Sequence, residues 1–234
     1  MVAIFFAQIL ALSSNHFAKG HVLLLMKSYL PLFPLNTVVF PGESLNLHIF
    51  EPRYKQLISE CQENNTNFGI PLYLESEISY GTEMSLLAVE KLYPDGRMDI
   101  RTKGHRVFHV LSFDNPSPGK LYAGGDVEIL ETDLKAKPET TDEMIELARE
   151  LYQNLNVVQD VSISENILSF DLGHKIGLSQ EQEYALLKIE KEEIRQLFIV
   201  AHLKKAIPML RDIEKTKERI RMNGHFKSFD PLDF

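Results

Sequence analysis

The sequence predicts an α+β fold in which a β-rich part precedes an α-helical part. From residue 68 to about residue 131, glycine and proline punctuate short β-favouring runs roughly every ten residues. From residue 140 onward, apolar residues recur at helical spacing instead. Strands and helices that are segregated along a chain in this way are typical of an α+β fold.

Prolines exclude a continuous helix from the apolar segment at residues 30–42, because each one removes a backbone donor and fixes φ. They are Pro31, Pro34 and Pro41. Residues 38–40 are β-formers followed by the turn dipeptide Pro41-Gly42, so we expect a short strand there. Residues 45–49 alternate apolar and polar side chains, which predicts a second, half-buried strand.

A helix is expected to start at Pro52, since proline suits the first helical position. Its apolar positions recur as far as the breaker Asn64-Asn65. Cys61 falls on the apolar side of this helix, which favours a small buried hydrophobic residue over a reactive thiol.

The clearest β element is a hairpin around Pro94-Asp95-Gly96, a strong tight-turn signal. The following strand alternates apolar and charged residues. Gly104 is read as a turn, and Gly81 as a second glycine that permits one. Further strands are predicted at residues 107–113 and 122–130, with a loop at residues 114–120 between them.

Helix signals begin after a charged linker at residues 135–139. Three capping boxes are predicted, at Thr140/Glu143, Ser162/Glu165 and Ser179/Gln182. A longer amphipathic helix follows, and Pro208 is expected to kink it. These helices must pack against one another to bury their apolar stripes.

Composition narrows the functional classes. The net charge of −8 argues against a duplex nucleic-acid binder, which needs a local excess of Lys and Arg. A single cysteine rules out an internal disulfide and favours a reducing cytoplasm. The apolar stretch VAIFFAQILAL near the N-terminus is too short to span a bilayer and lacks a basic region before it, so a signal peptide there would be poorly formed. Met26 offers a later start, so we expect residues 1–27 to be an N-terminal extension that is not native.

Several catalytic signatures are absent from the sequence. The nearest phosphate-loop candidate, Gly119-Lys120-Leu121, lacks the hydroxyl residue, and no G-x-S-x-G elbow occurs. His105 and His109 have a metal-binding spacing for a helix, but the sequence around them favours a strand, where they would lie about 13 Å apart. The sequence therefore predicts no enzyme, no metal and no cofactor.

Four segments carry a family resemblance: LPLFPLNTVVFPG with LHIFEPRY at residues 30–54, FGIPLY at 68–73, GTEMSLLAVEKLYPDGRMDI at 81–100, and TKGHRVFHV from Thr102. Together they resemble the Lon-protease N-terminal domain, especially its stand-alone bacterial versions, over roughly residues 28–205. His48 departs from the pattern, because the stand-alone proteins often have arginine there. The ATPase and Ser-Lys peptidase motifs of full-length Lon are missing.

The resemblance implies a PUA-like β pseudo-barrel with one inserted helix, followed by an α-helical subdomain. We place the β domain at residues 28–134, the helical subdomain at 140–222, and a C-terminal tail at 223–234. It also implies a non-catalytic module that recognises exposed apolar stretches of unfolded or damaged polypeptides. Such a module would act as an adaptor or holdase in cytoplasmic protein quality control, with a protease or chaperone machine as partner.

The residues proposed to contact substrate surround a groove: Phe33, Phe40, Arg53, Tyr54, Arg101 and Arg106. A second set is assigned to architecture: Pro41, Gly42, Glu51, Pro52, Gly81, Gly96 and Gly104. For the Glu51 to Tyr54 turn an architectural role competes with the ligand role, because Glu51 and Arg53 could tie the helix to the barrel by charged hydrogen bonds.

A PUA-like RNA-binding or small-ligand domain is the alternative function. Its sequence support is a stretch at residues 204–227 where basic side chains outnumber acidic ones. Charged helix surfaces of this kind are usually solvated, so neither nucleic acid nor membrane is expected as a partner. An unrecognised hydrolase ranks last, because no nucleophile can be nominated.

Overall fold

The computed structural model describes residues 27–74, 77–155 and 168–224. They form two compact units. The first contains the described residues of Met1–Asp133 together with Ser179–Glu190, and the second contains those of Leu134–Leu178 and Lys191–Phe234. The predicted capping box at Ser162 lies outside the described residues.

The first unit is built on a six-stranded sheet, which confirms the α+β prediction. Its strands are β1 (Lys27–Leu32), β2 (Ser44–Ile49), β3 (Phe68–Leu74), β4 (Glu77–Leu92), β5 (Met98–Val110) and β6 (Ala123–Ile129). The strand order is β2-β5-β4-β3-β1-β6, and an additional pairing of β5 with β6 closes the last five into a barrel. The long strand β5 therefore has β4 along almost its whole length, with β2 beside its first half and β6 beside its end.

The predicted hairpin is confirmed between β4 and β5. The amide of Gly96 donates to the carbonyl of Tyr93 at 2.9 Å, and Gly96 adopts a positive φ of 77°. The predicted turns at Gly81 and Gly104 are wrong, because both glycines lie inside strands. A Cβ on Gly104 would lie 2.6 Å from the carbonyl oxygen of Phe40, so glycine is needed there for close backbone approach.

The predicted strand at residues 38–40 is also wrong. Its backbone bonds to side chains instead of a neighbouring strand: the amide of Phe40 donates to the Glu43 carboxylate at 3.0 Å, and the Thr82 hydroxyl donates to the carbonyl of Val39. The strand predicted at residues 45–49 is confirmed as β2.

Helix α1 (Pro52–Asn64) starts and ends where the sequence predicts, with Asn65 in the left-handed conformation at its C-cap. It buries Tyr54, Leu57, Ile58 and Cys61 against the barrel core. Its apolar stripe therefore completes the main core of this unit, together with Ile49, Phe68, Met84 and Ile100.

One short helix, at residues 180–187, belongs to the β-rich unit although helices of the second unit come before and after it in the chain. The second unit contains helices α2 (Pro138–Asn154), α3 (Ser169–Leu172) and α5 (Glu192–Gly224), and the short helix α4 (Gln180–Leu187) lies between α3 and α5. The capping box at Ser179 and Gln182 is confirmed. The Tyr184 hydroxyl of α4 accepts a hydrogen bond from the amide of Tyr80 in β4 at 3.0 Å, which ties α4 to the sheet.

In the second unit, α2 packs along α5, which is continuous through Pro208. The capping box predicted at Thr140 is wrong, because α2 already begins at Pro138 and Lys137 is its N-cap. Proline at the first helical position starts the helix without a side-chain cap. The Thr140 hydroxyl donates instead to the Glu193 carboxylate of α5 at 3.1 Å.

A buried ion pair within α5 also binds Ser169 at the start of α3. Nη2 of Arg195 lies 2.8 Å from Oε2 of Glu192, and both side chains are at most 1% exposed. The Glu192 carboxylate also accepts hydrogen bonds from the amide and hydroxyl of Ser169 and from the amide group of Gln196. These donors replace the hydrogen bonds to water that the carboxylate loses when it is buried.

Candidate functional site

Arg53 and Tyr54, two of the predicted site residues, lie in the first turn of α1. The Arg53 guanidinium lies over the Tyr54 ring, with Cζ 4.4 Å from the ring centroid, and pairs with the Glu51 carboxylate at 2.8 Å. Tyr54 in turn stacks on Phe33 with centroids 3.7 Å apart. The structure therefore brings together three of the six predicted residues.

Burial divides this cluster into an inner and an outer part. Tyr54 and Phe33 are each 6% exposed, whereas the Arg53 side chain is 42% exposed. Burial raises the pKa of Tyr54 above its usual value, although the Arg53 charge opposes that shift. The two rings belong to the core, and the Arg53 side chain is the part of the cluster that contacts solvent. Its ion pair is with Glu51 of the same turn and does not reach the barrel.

Phe40 lies apart from this cluster and is 1% exposed. Its ring is a core element, and its carbonyl oxygen is the group that Gly104 approaches. Phe33 and Phe40 thus contribute apolar volume to the interior and offer no exposed ring to a ligand.

Arg101 and Arg106 both lie on β5, but each belongs to a separate ion pair. Arg101 pairs with Glu90 of β4 at 3.1 Å, and both side chains are half exposed. Arg106 makes a two-point contact with Glu83, at 2.7 and 3.1 Å, and Glu83 is only 6% exposed. Burial alone would raise the pKa of Glu83, yet the hydrogen bonds from Arg106 and Asn67 hold it below its usual value.

A surface concavity that the sequence reasoning did not find lies on the outer face of β2, β5 and β4. It is an open depression of about 490 Å³, lined by Leu47, Ile100 and five polar side chains. Those side chains are Asn46, His48, Glu90, Asp99 and Arg101. Of the six predicted contacts, only Arg101 lines it. Alternation within residues 45–49 and 98–102 identified the outward positions, but the register that sets His48 opposite Asp99 could not be read from either strand alone.

His48 and Asp99 form the polar centre of this concavity. Nδ1 of His48 lies 2.6 Å from Oδ1 of Asp99, and the Tyr93 hydroxyl donates to Oδ2 at 2.8 Å. These two hydrogen bonds hold the pKa of Asp99 below its usual value. The His48 ring also lies 6.2 Å from that of Phe50, which is 60% exposed.

The family model of the ATP-dependent protease La (LON) substrate-binding domain matches residues 29–204. The chain belongs to this family. The match spans both units, so the LON substrate-binding domain of this protein includes the barrel, α2, α3, α4 and the first part of α5.

Two solved structures resemble this LON domain. One is a Lon N-terminal domain protein from Xanthomonas campestris, at 29% identity and a TM-score of 0.58, with 74% of this chain and 98% of that chain covered. The other is the N-terminal domain of Mycobacterium avium complex Lon protease, at 18% identity and a TM-score of 0.57, with 76% of this chain and 99% of that chain covered. The second likeness shows the fold alone.

Other candidate sites are weaker. Within the described ranges, no three His, Cys, Asp or Glu side chains gather in a way that would hold a metal ion. The described helices also include none with the length and hydropathy needed to cross a bilayer. In the basic stretch of α5, Lys215 and Lys217 pair with Asp212 and Glu214, respectively, one turn earlier. Those lysines belong to a solvated helix surface.

Proposed function

We propose that this protein recognises unfolded or damaged polypeptides and holds them without changing a covalent bond, as an adaptor or holdase in cytoplasmic protein quality control. The family match over residues 29–204 is the observation that carries the proposal. A protease or chaperone machine would receive the bound chain.

The geometry on the barrel supports a recognition role. Arg53 and Arg101 expose about half of their side chains, and Phe50 and Leu92 expose 60% and 68%. Exposed apolar side chains beside polar groups are typical of surfaces that bind other proteins. The concavity on the outer face offers room for a side chain of a bound segment.

A binding titration tests the proposal. The probe is fluorescently labelled lactalbumin that has been reduced and carbamidomethylated, so that it stays unfolded without added charge, and the control is the same protein in its native form. Anisotropy should rise and saturate with the unfolded probe only. Equal binding of both forms, or binding of neither, overturns the proposal. A steep loss of affinity with salt would favour an ionic ligand of the alternative class.

A further inference from the structure

Strand β2 has one free edge. Each of the other described strands has a neighbour on both sides for at least part of its length, because the β5 to β6 pairing closes the barrel. β2 pairs only with β5, over six residues from Ser44↔Lys103 to Ile49↔Met98. Its opposite side therefore exposes backbone groups that no described strand satisfies.

The ladder pattern shows which groups these are. The amide of Gly104 donates to the carbonyl of Glu43 at 2.8 Å, and the carbonyl of Gly104 accepts from the amide of Gly42 at 3.0 Å, so Gly104 bonds to a bulge formed by Gly42 and Glu43. Bonded and non-bonded pairs alternate along an antiparallel ladder. Leu45, Leu47 and Ile49 thus bond to β5, and the N–H and C=O groups of Ser44, Asn46 and His48 point away from it.

A bulge at Gly42 and Glu43 precedes this edge, but within Ser44–Ile49 the described residues provide none of the usual devices that prevent pairing. Natural edge strands carry Lys, Pro or a bulge, or are covered by another element. The sequence of β2, SLNLHI, contains neither Lys nor Pro, and its register with β5 is regular. Ser44, Asn46 and His48 are all exposed. The edge is therefore accessible for pairing with another extended backbone.

An exposed apolar side chain lies directly after the polar outer face of β2. Phe50 follows β2 on the outer face, near His48, and is 60% exposed. Pro52 then begins α1, so the accessible edge ends there. The outer-face concavity lies beside the same residues, since Asn46 and His48 line it.

We propose that an extended segment of a polypeptide substrate adds to the free edge of β2 as a further strand, with an apolar or aromatic side chain beside Phe50. This inference rests on the proposed function and assigns it a site. Main-chain hydrogen bonds supply sequence-tolerant affinity, and the side-chain contacts add a preference. An unfolded chain is a suitable occupant because its backbone groups are still available for pairing.

A second copy of this protein is the competing occupant, through edge-to-edge pairing of two β2 strands. The net charge of −8 disfavours that pairing, because like-charged molecules repel each other at close approach. An extended segment of about six residues is enough to cover the edge, as the length of the β2 to β5 ladder shows. Such a segment does not bring a second folded molecule of the same net charge close to this one.

Amide hydrogen exchange of the full chain, measured by NMR, tests the site directly. With saturating unfolded lactalbumin probe, the amides of Ser44, Asn46 and His48 should exchange at least about tenfold more slowly. The amides of Leu45 and Leu47 should not change, because they already bond to β5. Equal slowing of all five, or of none, overturns the proposed strand addition.

A pair of variants provides an independent readout. Asn46→Pro removes a donor from the free edge without taking one from the ladder, and edge strands tolerate proline in that orientation. Asn46→Ala keeps the donor and removes only the side chain. We expect Asn46→Pro to weaken binding of the unfolded probe about tenfold more than Asn46→Ala does, because only the proline variant loses the edge donor.

The outcomes separate this inference from the proposed function. If the probe binds the wild-type protein but slows no edge amide, and Asn46→Pro binds it equally well, the edge site is overturned while recognition stands. If the probe does not bind at all, both fail. If the edge amides slow with rising protein concentration alone, and Asn46→Pro makes a dimer monomeric by sedimentation, the occupant is a second copy and the proposal is overturned.

Discussion

His48 and Asp99 face each other across the β2 to β5 ladder, with Nδ1 of the imidazole 2.6 Å from a carboxylate oxygen. The pair joins β2, which pairs with one strand only, to β5, which also pairs with β4 and β6.

His48→Phe should raise the pKa of Asp99. The substitution removes one of the two hydrogen bonds that depress it, and the Tyr93 hydroxyl remains. We expect the carboxylate titration, followed by carbon-detected NMR, to move toward the ordinary value of about 3.9 without reaching it. Asp95 is the internal control, because its low pKa comes from a backbone hydrogen bond with Arg97.

The same variant has a defined dependence on pH. A carboxylate whose folded pKa is depressed stabilises the fold above its unfolded pKa, and that contribution disappears as pH falls through the folded pKa. The stability difference between wild type and His48→Phe that is due to Asp99 should therefore persist near neutral pH and shrink below about pH 4. A low-pH increase in that difference would contradict the assignment.

Arg106→Ala should destabilise the barrel more than Arg101→Ala. Removing Arg106 leaves the nearly buried Glu83 without its two-point partner, whereas Glu90 is half exposed and can be hydrated. Since Arg106 is itself half exposed, we expect a loss of about 2 kcal/mol, compared with at most about 0.5 kcal/mol for Arg101→Ala. Urea unfolding at pH 7 measures both.

This difference should depend on pH as well. The low pKa of Glu83 means that its pairing contributes stability above the unfolded pKa and loses it as pH falls. The loss caused by Arg106→Ala should therefore decrease in acid. Equal effects of the two arginine variants at pH 7 would show that Glu83 is not dependent on Arg106.

Gly104→Ala should cost more stability than Gly96→Ala, for a different physical reason. A Cβ at position 104 would meet the Phe40 carbonyl oxygen at 2.6 Å, so backbone must shift, at a cost of about 2 kcal/mol or more. At position 96 there is room, and the cost of about 1 kcal/mol comes from the positive φ.

Replacement by asparagine distinguishes these causes. Asparagine tolerates the left-handed conformation better than alanine, so Gly96→Asn should recover part of the stability lost in Gly96→Ala. Gly104→Asn should recover none, because the clash involves any Cβ. Thermal melts monitored by circular dichroism provide the comparison, and rescue at position 104 would refute the packing explanation.

Breaking the buried ion pair of the second unit should be strongly destabilising. Arg195→Met leaves the Glu192 carboxylate buried without its charge partner, for which we expect a loss of about 3 to 5 kcal/mol. Lys217→Met is the matched control, because it removes an exposed pair with Glu214 and should change stability by at most about 0.5 kcal/mol.

The double variant Glu192→Gln with Arg195→Met sharpens this prediction. It removes both charges, so it should lose less stability than the sum of the two single variants. Chemical unfolding followed by a probe within the second unit measures all three. Strict additivity would mean that the two charges do not interact.

Local signals predicted the elements whose formation depends on neighbouring residues. Pro52 and the apolar positions after it defined α1, and Pro94-Asp95-Gly96 defined the hairpin. The predictions were wrong where contacts between residues distant in the sequence determine the local backbone structure. Val38 to Phe40 has strand propensity but bonds to the side chains of Thr82 and Glu43, and Gly104 serves a close approach to Phe40 that no local pattern records.

The candidate site shows the same division. The sequence placed Arg53 and Tyr54 in the first turn of one helix, but consecutive helical residues point to different faces, so the position of the guanidinium over the ring could not be predicted. The burial of Phe33 and Phe40 could not be distinguished from exposure by composition, because the core and a binding surface use the same residue types. The outer-face concavity depends on the register between β2 and β5, which only the folded sheet defines.

Native mass spectrometry of an equimolar mixture of this protein and the unfolded lactalbumin probe tests the central claim most directly. The account predicts a complex whose mass is the sum of the two chains, which releases the probe at its original mass. Absence of a complex, or a probe recovered as fragments, would contradict it.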